Sequence, residues 1–264
     1  MTPVPRKRFG QHFLTDRAVL ERIVAAIDPL PGQNLVEIGP GAGALTRLLR
    51  ARGVPLQAVE IDRDLCVQLR QEFAGDGFRL HEGDVLKLDL SLLGPAPRMV
   101  GNLPYNISTP ILFRIWEDVR DVTDCHFMLQ EEVVNRMAAK ANEPDYGRLS
   151  VMLQARFAVE KLFVVPASAF RPPPKVTSSI VRMLPLPPAA VTIDNSVVFA
   201  DLVRHAFTQR RKMLRNALKD QVTEHDWSET GIDPSARPEN LSVSDFARLA
   251  NRVASRQGET SMKP

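Results

Sequence analysis

Residues 34–46 read NLVEIGPGAGALT, and the fold turns on how that stretch is taken. Its first five residues form a short apolar run of the kind that makes a buried strand. Gly39, Gly41 and Gly43 then permit a tight turn and close backbone approach to a ligand. The helical pattern that follows offers its N-terminal amides to the same place. Strand, glycine turn and helix in that order open a βαβ unit. A lone glycine pattern is weak evidence for a ligand, so the neighbouring segments have to support it.

Further short runs at 56–60 (LQAVE), 78–81 (FRLH), 99–101 and 125–129 (CHFML) read as strands. Between them, TRLLRARG and DLCVQLRQEF carry apolar residues at three- and four-residue spacing, the mark of amphipathic helices. The alternation predicts an α/β fold, a parallel sheet with helices on both faces, whose ligands bind beyond the carboxyl ends of the strands. A helix is expected over 131–141 and another in DYGRLSVMLQARF. The runs at 157–165 (FAVEKLFVV) and 178–184 (SSIVRML), separated by the Pro-rich turn FRPPPKV, predict an antiparallel hairpin closing the sheet edge. After the linker PLPPAA the pattern is helical without strands, with Val198, Leu202, Val203, Ala206 and Phe207 on one face. Two domains are expected, 1–188 and a small all-α domain over 189–264, the latter ending in a disordered tail from about residue 256.

With 44% hydrophobic and 25% charged residues among 264, the composition is that of a globular domain, and no run approaches the ~20 apolar residues of a membrane span. The N-terminal MTPVPRKRFGQHFL has a basic cluster with no apolar stretch behind it, so a cytoplasmic location is expected. Cys66 and Cys125 are isolated and read as core, forming neither a disulfide framework nor a metal site. The net charge of +3 and the pI near 9.0 point weakly to an anionic partner. Two basic clusters say more: Arg6, Lys7 and Arg8, and the acid-free stretch 204–219 with Arg204, Arg210, Arg211, Lys212, Arg215 and Lys219. Taken alone, each is equally well a solvated helix face or a frayed tail.

The strand ends carry the chemistry. Glu60 lies at the end of the second strand, about 20 residues beyond the glycine turn, where nucleotide-binding α/β folds place a carboxylate for ribose hydroxyls. Asp84, after the third strand, suits an adenine amino group or a turn cap equally. After the fourth strand comes GNLPYNIS, 101–108. A nicotinamide enzyme needs a pyrophosphate cradle and a hydride acceptor site, and this loop supplies neither. It does suit an adenine: Asn102 offers a side-chain oxygen and Leu103, before Pro104, a backbone carbonyl for the two N–H groups of an exocyclic amine. Tyr105 can stack on the ring.

These residues, together with RKRFGQHFL, NLPYNISTP, QEEVVNRM, DYGRLSVM, FRPPPKVTSSIV and FTQRRKMLRNAL, resemble the S-adenosylmethionine-dependent N6-adenine methyltransferases. More closely they resemble the ribosomal RNA adenine dimethyltransferase family, in its bacterial small-subunit branch. The resemblance covers residue 6 to about 250. It implies a Rossmann-like S-adenosylmethionine-dependent methyltransferase domain with a small C-terminal helical domain, and N-terminal residues 6–16 closing over the cofactor. Carried over by position, it makes His12, Leu14, Gly39, Gly41, Glu60, Ile61, Asp84, Val85 and Asn102 line S-adenosylmethionine. His12 stands where some members have Asn. The same resemblance makes Asn102, Leu103, Pro104 and Tyr105 the catalytic loop, sets Phe170 over the target base opposite Tyr105, and turns Arg6, Lys7, Arg8, Arg210, Arg211, Lys212 and Arg215 into RNA contacts, with no metal. The implied partner is 16S rRNA in the 30S particle or its precursor, met by a monomer with no membrane attachment. The implied reaction is dimethylation at N6 of two adjacent adenosines near the 3′ end of 16S rRNA. The alternatives are a 23S rRNA methyltransferase of the macrolide-resistance type and a non-catalytic ribosome-assembly factor.

Overall fold

A computed structural model of the chain describes residues 11–75, 77–187 and 189–261. Its strands are β1 (Phe13–Leu14), β2 (Asn34–Ile38), β3 (Leu56–Glu60), β4 (Phe78–Glu82), β5 (Pro97–Asn102), β6 (Asp124–Gln130), β7 (Phe157–Val165), β8 (Phe170–Arg171) and β9 (Ser178–Pro185). The helices are α1 (Arg17–Ile27), α2 (Ala44–Arg50), α3 (Arg63–Glu72), α4 (Ser108–Asp118), α5 (Glu131–Ala138), α6 (Arg148–Gln154), α7 (Ser196–Thr208), α8 (Leu214–Ala217), α9 (Glu224–Thr230) and α10 (Val243–Ser261).

Seven strands form one sheet in the order β4-β3-β2-β5-β6-β9-β7. The first five are parallel, and β9 runs antiparallel to β6. Chain order reverses between β2 and β5, which opens a crevice at their carboxyl ends. Gly101 makes that junction possible. At its φ of 153°, a Cβ would lie 2.3 Å from the Ile38 carbonyl oxygen, so only glycine lets β5 run this close to β2. One face of the sheet is covered by α1 and α2. The 3.6-residue period of α1 buries Leu20, Ile23, Val24 and Ile27, and Asp16 caps its start by accepting from the Val19 N–H. With Leu45, Leu49, Leu35, Leu56, Val100, Met128 and Ile180 they make one core cluster, in which each fully buried side chain contributes about 1.5–3 kcal/mol.

The chain groups into two compact units, residues 1–134 with 159–185, and 135–158 with 186–264. This differs from a single boundary at 188, because the segment between α5 and β7 groups with the C-terminal helices. Its own contacts give the reason. The buried Tyr146 donates its hydroxyl to the Leu241 carbonyl at 2.9 Å and meets the Phe207 ring edge-on at 6.0 Å, while Gln154 donates to the carbonyls of Met137 and Ala139. The second unit has its own polar centre in Asp226, which accepts from the Thr223 hydroxyl and pairs with Arg252 and Arg256. Helix α10 continues to Ser261, so the expected tail is helical from 256 to that point. Nor is the basic stretch one helix: Arg210, Arg211 and Lys212 lie in the turn between α7 and α8. Among the described residues no helix is long and apolar enough to cross a membrane.

Candidate active site

The strand ends converge on one cavity with about 1170 Å³ of empty space, mouth included, ample for a small-molecule cofactor. His12, Leu14, Gly39, Gly41, Glu60, Ile61, Asp84, Val85, Asn102, Leu103, Pro104 and Tyr105 all line it.

Glu60 is the best-anchored of them. Its Oε1 accepts from the backbone N–H groups of Ile61 and Asp62, both at 2.9 Å, and its Oε2 from that of Gly41 at 3.1 Å. Burial pushes its carboxyl above the ordinary value, and these three donors pull the other way. A carboxylate offers about four acceptor positions; three are filled, and one on Oε2 remains for a hydroxyl. Gly41 is held with it, and a Cβ there would press on the Phe13 ring at 3.2 Å. Asp84 is a turn cap that also lines the cavity. Its Oδ1 accepts from the Leu86 N–H at 2.9 Å.

Asn102 ends β5. Its Nδ2 donates one N–H to the His12 carbonyl at 3.1 Å, which orients the amide and leaves Oδ1 as an acceptor. Leu103 is fixed beside it by its N–H to the Met128 carbonyl at 3.2 Å. The Tyr105 hydroxyl hydrogen-bonds Ser178 Oγ at 2.7 Å, and burial raises its pKa. The N-terminal segment forms the remaining wall. β1 pairs antiparallel with β8, Phe13 opposite Arg171 and Leu14 opposite Phe170. Thr15 and Asp16 donate their N–H groups to the Ala169 carbonyl, and His12 Nδ1 donates to the Pro172 carbonyl at 2.9 Å.

With the geometry in place, comparisons with known proteins decide the family. The family model described as ribosomal RNA adenine dimethylase matches residues 4–255. The chain belongs to that family. Among its curated relatives, the ribosomal RNA small subunit methyltransferase A of Aromatoleum aromaticum is 51% identical over 251 residues, 95% of each chain. Among solved structures, a dimethyladenosine transferase from Plasmodium falciparum superposes with a TM-score of 0.76 at 24% identity, over 93% of this chain and 98% of that one. The 23S rRNA methyltransferase ErmE gives 0.68 at 25% identity, over 92% and 99%.

Not every expected site residue joins the cavity. Phe170, opposite Leu14 in the β1–β8 pair, is fully buried within the core cluster and is not among the residues that line the cavity. The ring that is nearly parallel to Tyr105 is His12, with centroids 5.9 Å apart and planes 25° from each other. Arg211, Lys212 and Arg215 are exposed, whereas Arg210 is tied within its own unit to Glu239 and the Pro144 carbonyl. Arg6, Lys7 and Arg8 lie outside the described residues. Two cavity residues escaped the sequence reading. Glu37, on β2, is pushed up to about 7 by burial while the Thr46 hydroxyl, donating at 2.7 Å, opposes the shift; its place just before the glycine turn was the available signal. His126, on β6, is 3% exposed, and neither ring nitrogen has a hydrogen-bond partner among the described residues. Burial lowers its pKa against the pull of Asp124, 3.8 Å away. A single polar residue inside the apolar run CHFML was its only trace.

Proposed function

We propose that this chain dimethylates the N6 amines of two adjacent adenosines in a hairpin loop near the 3′ end of 16S rRNA, within the 30S particle or its precursor. The enzyme is an S-adenosylmethionine-dependent rRNA methyltransferase. The observation that carries the reading is Asn102: its Nδ2 is committed to the His12 carbonyl, so its Oδ1 is presented as an acceptor in the cavity that also holds Glu60 and Asp84.

The donor set fits the cofactor. Glu60 keeps one acceptor position for a ribose hydroxyl, Asp84 Oδ2 suits an adenine amine, and Ile61 and Val85 add apolar surface. When bound, S-adenosylmethionine supplies an electrophilic methyl group on a sulfonium. The chain's own residues do the rest. A base extruded from a loop costs less unstacking than one from a duplex, and stacking on Tyr105 returns about 1–3 kcal/mol. Asn102 Oδ1 and the Leu103 carbonyl take the two N–H hydrogens, which aims the nitrogen lone pair and makes positioning the main source of rate. Neither group is a strong base, so the proton leaves after the methyl arrives. Arg211, Lys212 and Arg215 serve as phosphate contacts, which position an RNA without reading its sequence. The setting is the cytoplasm, where 30S precursors are found, and one copy of the chain suffices.

Mapping dimethyladenosine by primer extension in 16S and 23S rRNA, with and without the protein, tests the reading. Modification of 16S is expected; modification of 23S alone would move the chain to the ErmE type.

A further inference from the structure

Tyr105 lies in the loop between β5 and α4, where the backbone by itself leaves an aromatic ring free to rotate about its side-chain bonds. Both ends of the residue are nonetheless tied to buried hydroxyls. Ser108, 2% exposed at the start of α4, donates its Oγ–H to the Tyr105 carbonyl at 3.1 Å. Ser178, fully buried at the start of β9, hydrogen-bonds the Tyr105 hydroxyl at 2.7 Å. The first bond is local, reaching three residues along the chain. The second spans 73 positions and joins the ring to the sheet. The backbone around Ser178 is held in turn: Ser178 stands opposite Gln130 in the β6–β9 register, and the preceding Thr177 carbonyl accepts from the Glu131 N–H at 2.9 Å. A ring that freezes only when a base arrives gives back part of its stacking energy as lost rotational freedom. A ring held in advance does not.

We propose that Ser178 is a positioning residue for methyl transfer, holding the Tyr105 ring through its hydroxyl in the orientation on which the target adenine stacks. This rests on the reading of the preceding subsection, in which Tyr105 stacks on the base. Ser178 is not among the residues that line the cavity, so it touches neither base nor cofactor and acts through the phenol. Docking of the particle belongs to the exposed cations, and capture of the base follows docking. The effect of the serine therefore falls on kcat and not on KM.

The test is a double-mutant cycle on the full chain, with unmethylated 30S particles and S-adenosylmethionine. Ser178→Ala and Tyr105→Phe remove the same hydrogen bond from its two ends, and the phenylalanine keeps the ring. Each single variant is expected to lower kcat roughly 2- to 12-fold, the effect of one neutral hydrogen bond, with KM for the particles unchanged. In the Tyr105→Phe background, Ser178→Ala is expected to lower kcat no further, since the bond is already gone. Calorimetric affinity for S-adenosylmethionine equal to that of the wild type shows that the variants are folded. A Ser178→Ala enzyme with wild-type kcat overturns the proposal, as does a loss of cofactor affinity as large as the loss of kcat. So does a Ser178→Ala loss of the same size in the phenylalanine background, which would place the effect in the packing of β9 and not in the phenol. A wild type that leaves 16S rRNA unmethylated refutes the underlying function instead, so the two failures are distinct.

Discussion

At the scale of single residues, the site depends on polar groups whose capacities are nearly used up. Asn102 gives one of its two N–H donors to the His12 carbonyl and keeps its Oδ1 as an acceptor. Asn102→Ala should lower the single-turnover methylation rate at least ~100-fold, the order found when one positioned polar group is removed, while binding to 30S particles persists; wild-type turnover would refute the role. Glu37 makes a separate forecast. Its folded pKa of about 7 lies above the ordinary 4.5, so the folded state binds the proton more tightly than the unfolded one. The stability it contributes is fully present below about pH 4.5 and is lost as pH rises through 7. Glu37→Gln, which copies the protonated form and still accepts from Thr46, should match the wild type near pH 4 and exceed it by up to roughly 3 kcal/mol at pH 8. Denaturant titrations across that range measure the gap, and parallel curves would refute it. Glu60, Asp84 and Asn102 were legible because each stands at or just beyond a strand end and carries a distinctive donor or acceptor. His126 and Glu37 were not, since burial rather than residue type gives them their properties.

At the scale of elements, the parallel strands announced themselves through their apolar runs and intervening helical periods. The β1–β8 pair did not: two residues are too few to show a period, and their partner strand is fixed by distant chain. The place of Phe170 over a base came from the resemblance alone, and the structure buries it in the core. The close approach of β5 to β2 gives a sharper test. Gly101→Ala forces a φ of 153° on a residue with a side chain and puts its Cβ 2.3 Å from a backbone oxygen that belongs to the sheet. A loss of at least about 3 kcal/mol is expected, read as a lower unfolding midpoint or as insoluble chain; near-native stability would mean that β2 can slide aside.

At the scale of the whole molecule, sequence periodicity separated sheet from helices but could not show that 135–158 groups with the C-terminal helices, because that grouping rests on long-range contacts such as Tyr146 to Leu241. The exposed cations of the second unit invite a test that leaves the cavity untouched. Replacing Arg211, Lys212 and Arg215 together by Gln should weaken binding to 30S particles and reduce the slope of log affinity against log salt by about 0.7–0.9 for each phosphate no longer neutralised, with affinity for S-adenosylmethionine unchanged. An unaltered slope would remove these residues from the RNA interface.

The tie between the N-terminal segment and residues 169–172 also sets a schedule. His12 is anchored to a carbonyl 160 positions later in the chain. Pro172 also follows Glu60 by 112 positions, so a ribosome adding ~5–20 residues per second leaves the nascent polypeptide for roughly 6–22 s with its glycine turn and Glu60 already made but the strap that closes over them still loose. The cavity becomes complete only once β8 has emerged, so a new chain acquires its full grip on the cofactor late, after most of the sheet has been synthesised.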